Sequence, residues 1–196
     1  MSDLLIAAPL SVEAALISSA ARGARVHRTG MGPHKSLTAA ERLRTEPGRA
    51  LIVLGFCGGL DAQSRPGEVI VAERVLSAAD EGHDQVQAAC HGVERLAGAL
   101  GGAGLRVRRG PIVGVGKIAT GERREQLLAA GALAVDMESA WLAAGAAGRP
   151  FAVVRVVLDS PSHELFRVRA VGGALKAAQM LRRASAVALG VWDGED

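Results

Sequence analysis

The sequence predicts an α/β fold in a single domain, residues 1–196, and three observations carry that reading. Leu4–Ala8, residues 50–54 and residues 151–158 are apolar runs without polar alternation, the pattern of strands covered on both faces. Stretches with helical spacing separate these runs, in a chain long enough for one well-buried domain and short for two. Glycine, proline or an acid follows close behind each run, at the strand carboxyl ends where α/β sheets place their ligands.

Leu4–Ala8 is bounded by Pro9, and Ser11 stands as N-cap ahead of Val12, Glu13 and Ala14, so strand, turn and helix succeed one another with Glu13 in the first turn. Residues 25–29 form a second strand, and Gly30-Met31-Gly32-Pro33 turns into a helix over residues 34–44. A Gly-X-Gly turn backed by helix amides makes Gly30 and Gly32 a candidate anion site, although the same glycines suit an ordinary turn. After the buried strand 50–54, residues 55–60 form a tight loop with glycines around Phe56 and Cys57, either close backbone packing or a pocket floor. Pro66-Gly67 marks a turn before a strand over residues 68–75. Residues 76–91, polar and containing His83, Asp84 and Cys90, read as a loop leading into a helix over residues 93–100. Residues 105–109 and 112–115 give a strand or a strand pair, and Thr120-Gly121-Glu122 opens a helix to about residue 130.

The stretch Ala134-Val135-Asp136-Met137-Glu138-Ser139 delivers two acids at a strand end. Glu138 is expected inward and Asp136 outward as a structural acid; Glu138 equally suits the first turn of a helix over residues 138–147. The strand 151–158 ends at Asp159, which is either a site acid or a turn residue before Ser160-Pro161, and residues 168–189 form a terminal helix.

Composition excludes several classes. Hydrophobic residues at 49% and charged residues at 22% describe a globular chain and not a disordered one. Tyr is absent and aromatics make up 3%, which leaves few stacking platforms for single strands, and the +3 net charge comes from arginines scattered among acids, so no nucleic-acid partner is expected. Arg106, Arg108 and Arg109 read as a solvated face or strand edge. Cys57 and Cys90 have no metal or redox spacing and the histidines, including His163, no zinc spacing, so neither a metal nor a cofactor is implied. No signal-peptide pattern and no run of membrane-spanning length occurs, and the expected location is cytoplasmic. No Gly-x-Gly-x-x-Gly follows the first strand, against a dinucleotide-dependent oxidoreductase.

Four motifs in order carry a resemblance: Glu13 after Leu10-Ser11-Val12; Gly55-Phe56-Cys57-Gly58-Gly59-Leu60 with Pro66-Gly67-Glu68-Val69; Val135-Asp136-Met137-Glu138-Ser139-Ala140; and Val154-Arg155-Val156-Val157-Leu158-Asp159. From residue 4 to about residue 159 the chain resembles the nucleoside phosphorylase and nucleosidase superfamily, in particular methylthioadenosine/S-adenosylhomocysteine nucleosidases and hopanoid-associated nucleoside phosphorylases. The resemblance implies a three-layer α/β/α domain around a mixed, mostly parallel sheet, no cofactor, and a homo-oligomer, most simply a dimer. It also implies cleavage of the N-glycosidic bond of a purine nucleoside, with adenine as the base. By the same resemblance Glu13 activates the attacking water, Met137 and Glu138 hold the ribose, Phe56, Cys57 and Gly58 contact substrate, and a protonated Asp159 assists departure of the purine. Those types suit the chemistry, because positive charge builds on the sugar and negative charge on the departing base. Val53 and Phe56 stand where hexameric purine phosphorylases carry an arginine and a serine for phosphate, which favours water as nucleophile. The alternatives are phosphorolysis of an adenine nucleoside such as adenosylhopane, with phosphate on Arg155 or Lys117, and a non-catalytic member that binds a nucleoside or a partner chain. Phe56 replaces a serine of the nucleosidases, and the region between Val75 and Leu105 is shorter than theirs.

Overall fold

The computed structural model describes residues 4–21, 23–78, 86–162 and 170–194. In chain order these residues form β1 (Leu4–Ala8), α1 (Ser11–Ala20), β2 (Val26–Arg28), α2 (Pro33–Thr45), β3 (Ala50–Gly59), β4 (Val69–Ser77), β5 (Gln87–Ala89) and α3 (Val93–Gly102). They continue with β6 (Val107–Gly114), α4 (Gly121–Ala129), β7 (Ala134–Asp136), α5 (Ser139–Leu142), a 3₁₀ turn (Ala143–Ala146), β8 (Phe151–Asp159) and α6 (Ala170–Val191).

The apolar runs are strands buried from both sides, and residue parity shows it. Leu4, Ile6, Ala8, Ile52, Leu54, Val154 and Val156 pack with Ile17 of α1, Leu96 and Leu100 of α3, and Leu181 of α6. The alternate residues Leu5, Ala7, Leu51, Val53, Val153 and Val157 pack with Leu43 of α2, Leu142 of α5 and Ala146. Two helical layers therefore cover one sheet, the three-layer α/β/α arrangement. The sheet is mixed and mostly parallel: β1 pairs in parallel with β2 and β3, β3 with β8, β4 with β6, and β6 with β7. Antiparallel pairing joins β3 to β7, β4 to β5 and β4 to β8. Because β8 bridges β3 and β4 while β7 bridges β6 and β3, these five strands close a circuit, and their ends are held around one point.

Several local expectations are corrected. Residues 55–59 are not a loop: β3 runs on to Gly59 because β8 on one side and β7 on the other supply ladder partners. Residues 107–114 are one strand, and β5 forms an antiparallel rung on β4 inside the stretch read as loop. His83 and Asp84 lie outside the described residues, as do His163 and the first two residues expected in the terminal helix. The expected helix over 138–147 shrinks to α5 and the 3₁₀ turn. Ser11 is the first helical residue instead of the cap; the cap is Leu10, whose N–H donates to Glu13 Oε2 at 2.6 Å. Arg106 and Arg108 form ion pairs with Glu68 and Asp61, and Arg109 with Glu94, so this basic cluster is neutralised by acids. Among the described residues no helix is long and apolar enough to cross a membrane.

Candidate active site

The strand circuit brings the ends of β3, β7 and β8 beside the first turn of α1. Pairing between β3 and β8 slips between Cys57, opposite Val157, and Gly58, opposite Asp159. This bulge leaves Leu158 as the extra residue, re-aims the strand end, and turns both Leu158 and Asp159 into the cleft.

Beneath the cleft lies Arg155, 0% exposed on the face of β8 turned toward α5. Its Nη2 pairs with Asp136 Oδ2 at 2.7 Å and with Glu138 Oε2 at 3.5 Å. Its Nε and Nη2 also donate to Ser139 Oγ at 3.2 and 2.9 Å, and that hydroxyl donates to Asp136 Oδ2. Asp136 therefore points inward and not outward as expected: residues two apart share one face of an extended chain, so it meets Arg155 from the same side as Glu138. Its Oδ1 accepts the N–H groups of Glu138 and Ser139 at 3.2 and 3.1 Å, so it also fixes the start of α5. Glu138 takes the N-cap position of α5 but sends its carboxylate away from the helix, where Oε1 accepts the Gly32 N–H at 3.2 Å.

Glu13 arrives from α1. Its Oε2 is held by Leu10 N–H and its Oε1 by Phe56 N–H at 2.7 Å, so two backbone donors orient a residue only 2% exposed. Burial raises the pKa of Glu13, and the charge of Arg155 with the two amides pulls part of that back. Burial likewise pushes Glu138 up to about 7, against the pull of Arg155 and with a further push from Asp136 and Glu13. Three acids around one guanidinium leave negative charge in excess, which adds to burial in raising Glu13 and Glu138. Burial pushes the Cys57 thiol far up, so this cysteine packs as an apolar side chain and is no thiolate nucleophile.

A second polar group stands across the end of β3. Arg124, 5% exposed on α4, pairs through Nη2 with Asp159 Oδ2 at 2.6 Å. Its Nε donates to Ala119 O at 2.8 Å and its Nη1 to Gly59 O at 3.4 Å. Asp159 Oδ2 accepts that bond from Arg124, and the carboxyl lines the cleft.

All seven residues expected as catalytic or substrate-binding line a single cleft: Glu13, Phe56, Cys57, Gly58, Met137, Glu138 and Asp159. Gly30 and Gly32 do not line it, and their amides are already used, Gly30 N–H by Pro9 O and Gly32 N–H by Glu138. Lys117 is exposed and outside the cleft. Sequence reasoning missed Arg124 and the inward Asp136. A signal for Arg124 exists: it lies three residues before Leu127 and shares the buried face of α4 with it.

Gly55 is where the backbone must come closest. A Cβ there would stand 2.6 Å from Glu13 Oε1 and collide with Arg155 Nη1. Gly55→Ala is expected to destabilise the fold by about 1–3 kcal/mol through this overpacking. Urea unfolding of the variant beside wild type measures it, and an unchanged midpoint contradicts the close approach.

Comparison with known proteins agrees with this geometry. The family model of the phosphorylase superfamily matches residues 19–186. The chain is similar in structure to S-adenosylhomocysteine nucleosidase from Streptococcus pyogenes in complex with 5-methylthiotubericidin, at 21% identity and TM-score 0.73, covering 93% of this chain and 95% of that one. It is similar to a putative 5′-methylthioadenosine/S-adenosylhomocysteine nucleosidase from Francisella philomiragia, at 15% identity and TM-score 0.77, with 97% and 98% covered. A futalosine hydrolase mutant of Helicobacter pylori is similar at 16% identity and TM-score 0.78, with 94% and 97% covered. No curated protein matches the chain in sequence. With 168 of its 196 residues inside the family match, the chain belongs to the phosphorylase superfamily.

Proposed function

We propose that this protein hydrolyses the N-glycosidic bond of a purine nucleoside and releases adenine, with Glu13 activating the water. The observation that carries the reading is the convergence of two acids with raised pKa, Glu13 and Glu138, and of the Arg124–Asp159 pair on one cleft of about 180 Å³. An apolar cavity of about 150 Å³ takes up one benzene, so the cleft suits a single planar base with the sugar at its mouth. The acids of the described residues point into an open cleft, which argues against a non-catalytic binder.

As the bond from C1′ to the base breaks, its electron pair leaves with the purine and positive charge develops on the sugar. Glu138 and Glu13 lie where they oppose that charge in a low-dielectric site. Two lone-pair positions of Glu13 are taken by backbone amides, and the others remain to accept a proton from water as its oxygen bonds to C1′. Met137 packs on the sugar and Glu138 accepts from its hydroxyls. Water fits better than phosphate, because the amides of Gly30 and Gly32 are engaged, Lys117 lies outside, and Arg155 is fully buried among acids. Met31 and Ile118, 50% and 63% exposed, line the same cleft and favour an apolar substituent at the 5′ position.

Wild-type protein is expected to release adenine from 5′-substituted adenine nucleosides in phosphate-free buffer, and Glu13→Gln to lose roughly a thousandfold in kcat, within the range for general-base removal. Chromatography of the base measures both; release that requires phosphate, or none at all, contradicts hydrolysis. The raised acids also set the pH dependence. Glu138 must be ionised to accept from the sugar, and below its raised pKa it is protonated, so kcat/KM is expected to fall about tenfold per pH unit below about 7. A rate that stays level down to pH 5 contradicts it.

A further inference from the structure

We propose that the pocket between β2 and α2 binds a phosphate group, free or as the ester of a small molecule. This pocket shares no lining residue with the cleft and is independent of the hydrolase reading.

The pocket measures about 460 Å³, a size that suits a small-molecule ligand. His27, Arg28 and Thr29 line it from the edge strand β2 and the residue after it, and His34, Lys35 and Arg42 line it from α2. Residues four apart stack on one face of a helix, so His34, Thr38 and Arg42 form a single row along α2. Cations prevail there. Among the described residues that line the pocket Glu46 is the single acid, and it is paired with Arg25 at 3.5 Å. Arg28 donates from Nη1 to Ser11 Oγ at 2.8 Å, whereas Lys35 and Arg42 have no acid partner among the described residues. Elsewhere in the chain Arg106, Arg108 and Arg109 are each met by an acid, so cations left unpaired around a pocket are a departure that an anion would complete. The stem of Lys35 is also held: it lies on Gly30, where a Cβ would stand 2.7 Å from Lys35 Cδ.

Thr29 gives a second, independent indication. It is 8% exposed and lines the pocket, yet its Oγ1 has no hydrogen-bond partner among the described residues. A buried hydroxyl left unpaired is costly, and an acceptor oxygen on a ligand would satisfy it. Hydroxyl, ammonium, guanidinium and imidazole N–H groups all donate. Together they suit the oxygens of a phosphate, and they repel a metal cation and leave an apolar ligand without partners.

Calorimetry with inorganic phosphate, ribose 5-phosphate and ribose tests the site and separates its two sources of phosphate. Wild type is expected to bind the first two and not ribose; tighter binding of the ester assigns the site to a phosphorylated molecule, and equal or weaker binding of the ester assigns it to the free ion. Arg42→Met is expected to weaken phosphate binding at least about tenfold, as loss of one charge-assisted bond does. Its side chain is exposed, so this variant keeps the fold. Thr29→Val is expected to weaken binding about fivefold and, with no phosphate present, to raise the urea midpoint, because no unpaired hydroxyl is then buried. Absence of phosphate and ester binding at millimolar concentration, binding unchanged in Arg42→Met, or displacement of phosphate by adenine overturns the proposal.

Discussion

One fully buried guanidinium faces three carboxylates in this protein, and the site depends on that contact. Arg155 pairs directly with Asp136 and Glu138, and its charge also acts on Glu13. Without it, three acids under 7% exposed would sit together with no cation among them, an arrangement that burial and mutual repulsion both oppose. Removing one partner from a buried ion pair typically costs about 3–5 kcal/mol, so β7, β8 and the start of α5 are tied to one another through this residue. Arg155 does not neutralise the whole group. Burial, with the remaining excess of negative charge, raises the pKa of Glu13 and of Glu138, the latter to about 7.

Backbone geometry supplies the rest. The closed strand circuit brings β3, β7 and β8 to a common end, and the slip between Cys57 and Gly58 sets Asp159 opposite Gly58. Two glycines on β3 then have different jobs. Gly55 lets the strand pass between Glu13 and Arg155, and Gly58 leaves the Arg124–Asp159 pair open to the cleft. The polar groups thus divide into one cluster built on Arg155 and a second built on Arg124, joined along the cleft by Phe56, Cys57 and Gly58.

Much of this was legible in the sequence because burial on both faces leaves a plain signature. The apolar runs of β1, β3 and β8 announce a covered sheet, and acids after strand ends announce a cleft. Arg155, expected only as a possible phosphate ligand, is the one charge inside Val153-Val154-Arg155-Val156-Val157, where a buried cation requires acid partners. What stayed hidden depends on contacts between distant segments. Strand β3 runs through its glycines because β7 and β8 flank it, and no local pattern foretells that. Asp136 is the exception, because it stands two residues from Glu138 and such residues share one face of an extended chain. The amides of Gly30 and Gly32 are spent on Pro9 and Glu138, residues that only the fold brings near.

The central claim is that burial around Arg155 holds Glu138 part-protonated at neutral pH. Carbon-13 NMR titration of the glutamate carboxyls, with Glu138 assigned by its loss in Glu138→Gln, measures it directly. The account expects Glu138 to titrate near pH 7. Titration of Glu138 at about 4.3, the value of an exposed glutamate, would contradict it.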